Sequence, residues 1–171
     1  MAFIFTLFYA VASMSALIQE GMQAPDFSLP VSAEKVISLA DFKGKNVVIY
    51  FYPKDNTPGC TIEARSFTDH AGEFARLNTE ILGISRDTIK SHAKFADNHA
   101  LSFQLASDAE SDVCERYGVL KEKSFMGKKY KGIVRTTILI DKNGIVQKVW
   151  PDVSVIGHVE DVLSAVRALE N

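Results

Sequence analysis

Cysteine is scarce in this chain: its 171 residues carry two, Cys60 and Cys114. Two thiols do not frame a disulfide scaffold, and the length suffices for one domain with its own apolar core. Histidine is nearly as sparse. His70, His92, His99 and His158 stand at unrelated spacings and none pairs with a cysteine at a metal-ligand interval, so no metal and no cofactor are expected. Neither sign of charge dominates, since the formal net charge is −2, and a nucleic-acid partner is not expected. The chain has no internal repeat, no low-complexity stretch and no apolar run long enough to span a bilayer, so no stable membrane association is expected. It also lacks a Cys-x-x-Cys pair, which a dithiol disulfide reductase needs at a helix start; Thr57 holds the first of those two places.

What is present is an alternation of apolar strands and amphipathic helices. Gly21–Pro30 and Val36–Leu39 read as an early hairpin around a polar turn. Val47–Phe51 is continuously apolar and rich in β-branched residues, as a strand covered on both faces should be. Apolar and small residues at 62, 64, 67, 71, 74, 75 and 77 predict a helix from Pro58 to Leu77, and Ile81–Ser85 predicts the next buried strand. Strand, helix, strand in that order is a right-handed parallel unit. Thr88–His99 reads as a second helix with Ile89, Ala93, Phe95 and Ala96 inward, Phe103–Ala106 as a short strand, and Asp112–Tyr117 as a short helix closed by Gly118. Lys121–Lys131 reads as a basic, solvated rim loop. Thr136–Ile140 and Ile145–Val149 flank Asp141-Lys142-Asn143-Gly144, a hairpin signal, and Val159–Leu169 closes the chain as an amphipathic helix. The expected class is α/β: a thioredoxin-like three-layer fold with a central mixed β-sheet and an N-terminal β-hairpin.

The turn between the first central strand and the first helix carries the chemistry. Thr57 is a good N-cap, and Pro58 occupies the first helical position, where a missing N–H costs nothing. Cys60 then falls in the first turn, among unpaired backbone N–H groups at the positive end of the helix dipole, which favour thiolate over thiol. A cysteine in an α/β domain is often an inert core residue. The polar loop and the Thr-Pro-Gly approach favour the reactive reading here.

Pro53-x-x-x-Thr57-x-x-Cys60 resembles the peroxidatic loop of the peroxiredoxins. The fuller run Tyr52-Pro53-Lys54 through Thr57-Pro58-Gly59-Cys60-Thr61 is similar to their bacterioferritin-comigratory (Q-type) branch. Ala24-Pro25-Asp26-Phe27, Lys121-Glu122-Lys123, Gly127-Lys128-Lys129-Tyr130 and Gly132–Thr137 match in order, over roughly residues 20 to 169. The resemblance implies a thiol peroxidase in which Cys60 attacks a hydroperoxide and becomes a sulfenic acid, serving antioxidant defence. It implies that Arg135 contacts both thiolate and peroxide and that Pro53 shields the thiolate. Residue chemistry alone divides Arg135 between an anion partner and a surface salt bridge. Thr57 lies one helical turn before Cys60, so its hydroxyl can face the thiol or the peroxide, or simply cap the helix. Glu63 reads first as an ordinary first-turn carboxylate and second as a residue that orients the arginine.

Many members of the branch carry a resolving cysteine five residues after the first; here that position is Arg65. Cys114 is the other thiol, and its place in a short helix reads as core-facing, with resolution of Cys60 the lesser alternative. The expected cycle therefore uses one cysteine and an external thiol such as thioredoxin, glutaredoxin or glutathione, in a monomer. A non-catalytic thioredoxin-like redox sensor or binding module is the alternative function. Residues 1–14 form an apolar extension ahead of a domain over residues 15–171. Ala10-x-Ala12 resembles a signal cleavage site, yet no Lys or Arg precedes the apolar run, and Met14-Ser15 reads as an ordinary start. A cytoplasmic location follows from that start, and export from a cleaved signal.

Overall fold

The computed structural model describes residues 17–170; the apolar extension and its two alternatives lie outside the described residues. The early hairpin pairs β1 (Ser28–Pro30) with β2 (Val36–Ser38), and a single 3-10 turn, Leu39–Phe42, follows it. The Asp41 carboxylate fixes that turn by accepting the Ser38 N–H at 2.7 Å.

Five strands form the central sheet. β3 (Asn46–Phe51) leads into α1 (Pro58–Arg76), β4 (Thr79–Ser85), α2 (Ile89–His99), β5 (Gln104–Ser107) and the one-turn α3 (Val113–Arg116). A two-stranded ribbon of β6 (Leu120–Phe125) and β7 (Lys128–Ile133) comes next, then β8 (Thr136–Ile140), β9 (Val146–Trp150) and α4 (His158–Leu169). The order across the sheet is β5-β4-β3-β8-β9, with β3, β4 and β5 parallel and β8 and β9 antiparallel. The expected thioredoxin-like mixed sheet is present.

All six residues of β3 are buried, and their alternation divides the core into two. Val47, Ile49 and Phe51 pack with the hairpin, the 3-10 turn and α3; Val48 and Tyr50, with Tyr52 beyond the strand, pack with α1, α2 and α4. Gly83 of β4 makes room for this second layer. A Cβ there would stand 2.6 Å from Leu105 and 2.9 Å from the Tyr50 ring.

Two expectations are corrected. Lys121–Lys131 is no loop: it pairs as β6 and β7 around Met126 and Gly127, both at positive φ. Its strands are lysine-rich and mostly exposed, so no apolar alternation marks them. In α2 the inward position is taken by His92 rather than Ala93, which is exposed. The polar network described below outweighs the apolar preference there.

Candidate active site

Beyond β3 the chain continues through Tyr52, whose N–H still bonds Ile84 O at 3.1 Å, and leaves the sheet at Pro53. Asn56 turns it with φ +60, Thr57 stands at the N-cap in extended conformation, and Pro58 opens α1. Cys60 is the third helical residue and is 1% exposed. The four first N–H groups of a helix have no intrahelical acceptor, so the sulfur sits at an electropositive end.

Sheet register delivers the second component. β8 runs antiparallel to β3 and pairs Thr136 with Phe51, so Arg135, one residue earlier, emerges beside the loop that ends at Cys60. Arg135 Nη2 donates to Cys60 Sγ at 3.2 Å and Nη1 donates to Glu63 Oε1 at 2.8 Å. Of the alternatives open in the sequence, the guanidinium takes the anion-partner place, and Glu63 is the residue that holds it. Glu63 lies beyond the first turn and is fully buried. Burial pushes its carboxyl up to about 7, with the Arg135 charge and hydrogen bond opposing. At Arg135 burial acts downward, but Glu63 and Cys60 outweigh it and raise its pKa. The two directions agree physically: Arg135 keeps 16% of its side-chain exposure and Glu63 keeps none, so burial prevails only at the carboxylate.

Thr57 takes neither the cap nor the thiol contact among the roles expected of it, and the peroxide contact stays open. Its hydroxyl donates to Lys54 O at 2.8 Å, neither capping the helix nor donating to the thiol. With the proton committed, its lone pairs are what remain to accept a hydrogen bond from a peroxide O–H. Pro53 is exposed at the loop entrance.

A buried network that no sequence motif announced ties the loop to its surroundings. Asp55 is 5% exposed and accepts from Tyr52 Oη at 2.6 Å, Ser91 Oγ at 2.7 Å and His92 Nδ1 at 2.8 Å. His92 Nε2 faces Ala106 O at 3.2 Å. The Asp55 N–H donates to Asp87 Oδ2 at 2.8 Å. Burial pushes the Asp55 carboxyl up, but hydrogen bonds from His92, Tyr52 and Ser91 outweigh it and hold it below its ordinary value. Asp55, Asp87 and His92 have potential ligand atoms within 4.8 Å of one another, a cluster invisible in the scattered histidine spacings. Hydrogen bonds already engage both Asp55 oxygens, Asp87 Oδ2 and both His92 nitrogens.

Cys114 belongs to the opposite core layer from Cys60 and is fully buried. Burial, and then Asp108, push its thiol far above the ordinary range, and its N–H donates to Asp108 Oδ2 at 2.7 Å. Both cysteines are free.

A helix-borne thiol clasped by an arginine that the neighbouring strand delivers, on a thioredoxin-like sheet, defines the class of thiol-dependent peroxidases. The chain belongs to the AhpC/TSA family, whose profile matches residues 21–149. It is 49% identical over 146 residues to a putative peroxiredoxin Bcp of Coxiella burnetii, covering 85% of this chain and 97% of that one. To peroxiredoxin Bcp of Bacillus subtilis it is 44% identical over 150 residues, 88% of this chain and 96% of the relative. Among solved structures, bacterioferritin comigratory protein of Xanthomonas campestris superposes with a TM-score of 0.80 at 39% identity, over 85% of this chain and 92% of the other. A cysteine-to-serine mutant of Xylella fastidiosa PrxQ gives 0.85 at 33% identity, over 91% and 99%. The protein is accordingly a thiol peroxidase, an antioxidant oxidoreductase. Among the described residues no helix is long and apolar enough to cross a membrane.

Proposed function

We propose that Cys60 is the peroxidatic residue and that the chain completes its cycle with a thiol from outside. The Cys60 thiolate attacks the distal oxygen of hydrogen peroxide or an organic hydroperoxide, the O–O bond breaks, and water or an alcohol leaves as Cys60 becomes a sulfenic acid. Charge moves from sulfur to the departing oxygen during this step. The Arg135 guanidinium stabilises both ends, Glu63 fixes its orientation, and the Thr57 hydroxyl accepts a hydrogen bond from the peroxide O–H, whose proton passes to the departing oxygen. Pro53 holds the start of the loop. The observation that carries this reading is the Arg135 Nη2 to Cys60 Sγ contact of 3.2 Å, with Nη1 anchored on Glu63. Organic hydroperoxides are included because the Xanthomonas campestris relative is described as reducing alkyl peroxides.

The external thiol is supported by Cys114, buried in the opposite core layer where it cannot reach Cys60 without disrupting that layer. Two free cysteines also suit a reducing, cytoplasmic setting. The test adds one equivalent of hydrogen peroxide to reduced protein with a sulfenic-acid trap, followed by peptide mapping. Label confined to Cys60, with catalytic turnover when a thiol is supplied, is the expected result. An unoxidised Cys60 refutes the assignment, and oxidation without turnover indicates a stoichiometric sensor.

A further inference from the structure

The β6–β7 ribbon has two chemically different faces. Its register sets Lys121 opposite Gly132, Lys123 opposite Tyr130 and Phe125 opposite Lys128, and strand alternation puts these six on one face. That face holds three lysines, two aromatic rings and no carboxylate. On the other face Lys129 meets Glu122 at 3.4 Å and Lys131 meets Glu115 at 3.5 Å, so its charge is neutralised locally. Gly132 shapes the first face: a Cβ there would stand 2.8 Å from Lys123 Cδ and 3.2 Å from the Tyr130 ring. Its absence lets the lysine stem and the ring lie together across the ribbon, with Lys123 Nζ donating to Ile133 O at 2.8 Å.

This face runs into a cleft of about 340 Å³ whose wall includes Pro53, Lys54, Arg86, Lys123, Tyr130 and Lys131, and no acidic side chain. Among the described residues Lys54, Arg86 and Lys123 form no ion pair. A concave surface lined by one sign of charge concentrates its field, and this volume suits a small molecule. Its walls are the segments that hold the reactive sulfur. Pro53 and Lys54 begin the loop that ends at Cys60, Lys54 O receives the Thr57 hydroxyl, and Ile133, also in the wall, precedes Arg135 by two residues.

We infer that this cleft binds the carboxylates of a small anionic thiol of the glutathione class and so selects the reductant of oxidised Cys60. The inference rests on the external-thiol cycle proposed above. The sulfur of the bound thiol attacks the Cys60 sulfenic sulfur, an S–S bond forms, the S–O bond breaks, and hydroxide leaves with a proton as water. A second thiol then attacks its own kind in the mixed disulfide and Cys60 departs as thiolate. Two thiols have become one disulfide, and their two electrons have reduced the sulfenic acid.

The binding test needs no turnover. S-methylglutathione, which keeps both carboxylates and has no free thiol, is titrated into the reduced full chain while backbone amide shifts are followed by NMR. Saturable shifts at Lys54, Arg86, Lys123 and Tyr130 are expected, with affinity about tenfold or more weaker in Lys54→Gln/Arg86→Gln and for the esterified ligand, since charge-assisted contacts are lost. In the kinetic arm, glutathione reduces preformed Cys60 sulfenate about tenfold faster than its ethyl ester, and the double variant brings that ratio toward one. No saturable shift up to about 10 mM, or equal binding of the ester, overturns the cleft assignment even if Cys60 turns over with dithiothreitol. Shifts from a fatty-acid carboxylate without any from S-methylglutathione also overturn it, in favour of an anionic hydroperoxide. Failure of Cys60 to oxidise strikes the peroxidase cycle instead, and the titration then decides the cleft on its own.

Discussion

Replacing Arg135 by glutamine separates the chemical work of the guanidinium from its structural work. Its Nη2 contact at 3.2 Å is a charge-assisted donor on the Cys60 sulfur, the proposed reacting atom, and its Nη1 contact at 2.8 Å is the partner of a fully buried carboxylate. Loss of one preorganised donor at a reacting centre costs about 10²–10³ in rate, so oxidation of Cys60 by hydrogen peroxide should slow by about that factor. Breaking a buried ion pair from one side costs about 3–5 kcal/mol while the remaining group stays ionised. Glu63 has a way out, because burial already holds its carboxyl up at about 7 against an ordinary 4.5. Its folded form binds the proton more tightly than the unfolded chain, so the stability this site contributes falls as pH rises from about 4.5 to 7. Without Arg135 the carboxyl moves higher still. The variant should therefore lose about 1 kcal/mol near pH 6, where Glu63 is held protonated with or without the arginine, and about 2 kcal/mol near pH 8, the one pH unit above the parent's value of about 7 being worth about 1.4 kcal/mol. Urea unfolding at both pH values measures the stability, and rapid-quench mass analysis measures the oxidation rate. Adding Glu63→Gln should restore most of the stability at pH 8 and none of the rate. A rate within fivefold of the parent protein (about 1 kcal/mol of barrier) would show that the guanidinium does not act on the sulfur. An equal loss of stability at both pH values would refute the burial argument for Glu63.

Gly83→Ala places a Cβ 2.6 Å from Leu105 and 2.9 Å from Tyr50, and calorimetry should find it less stable by about 1–3 kcal/mol, the usual cost of overpacking; an unchanged melting temperature would mean the layer repacks freely. Cys114→Ala should leave thiol-driven turnover intact, and peroxide-treated parent protein should show no Cys60–Cys114 bridge on peptide mapping; an intrachain bridge overturns the external-thiol cycle. Asp55→Asn should cost about 1–3 kcal/mol at pH 7 through the His92, Tyr52 and Ser91 hydrogen bonds it weakens. The Asp55 carboxyl is held low, so its contribution is complete above its ordinary 3.8 and is lost as pH falls through the folded value. The asparagine variant should lack that acid-side loss in urea titrations, and a variant that keeps it would mean other groups cause it.

The sequence by itself determined whatever depends on neighbours along the chain. The N-cap geometry at Thr57, the first helical position of Pro58 and the helix-end address of Cys60 follow from residues within one turn of each other. So does the turn at Asp141–Gly144, where Asp141 accepts two backbone N–H groups and Gly144 takes φ +80. The β6–β7 ribbon escaped because exposed lysines hide a strand's period; only the positive φ of Met126 and Gly127 closes it. Tertiary structure decided who meets whom. Arg135 reaches Cys60 across 75 residues because β8 pairs with β3 in one register, and a shift by one residue would turn the arginine to the other face. Helices packed against opposite faces of the sheet put Cys60 of α1 and Cys114 of α3 into different core layers, and the packing of α2 beside the loop brings His92 to Asp55. Local hydrogen bonding and dihedral preference are written in short stretches of chain, whereas strand register is fixed by the packing of the whole core, and the partners of Cys60 depend on it.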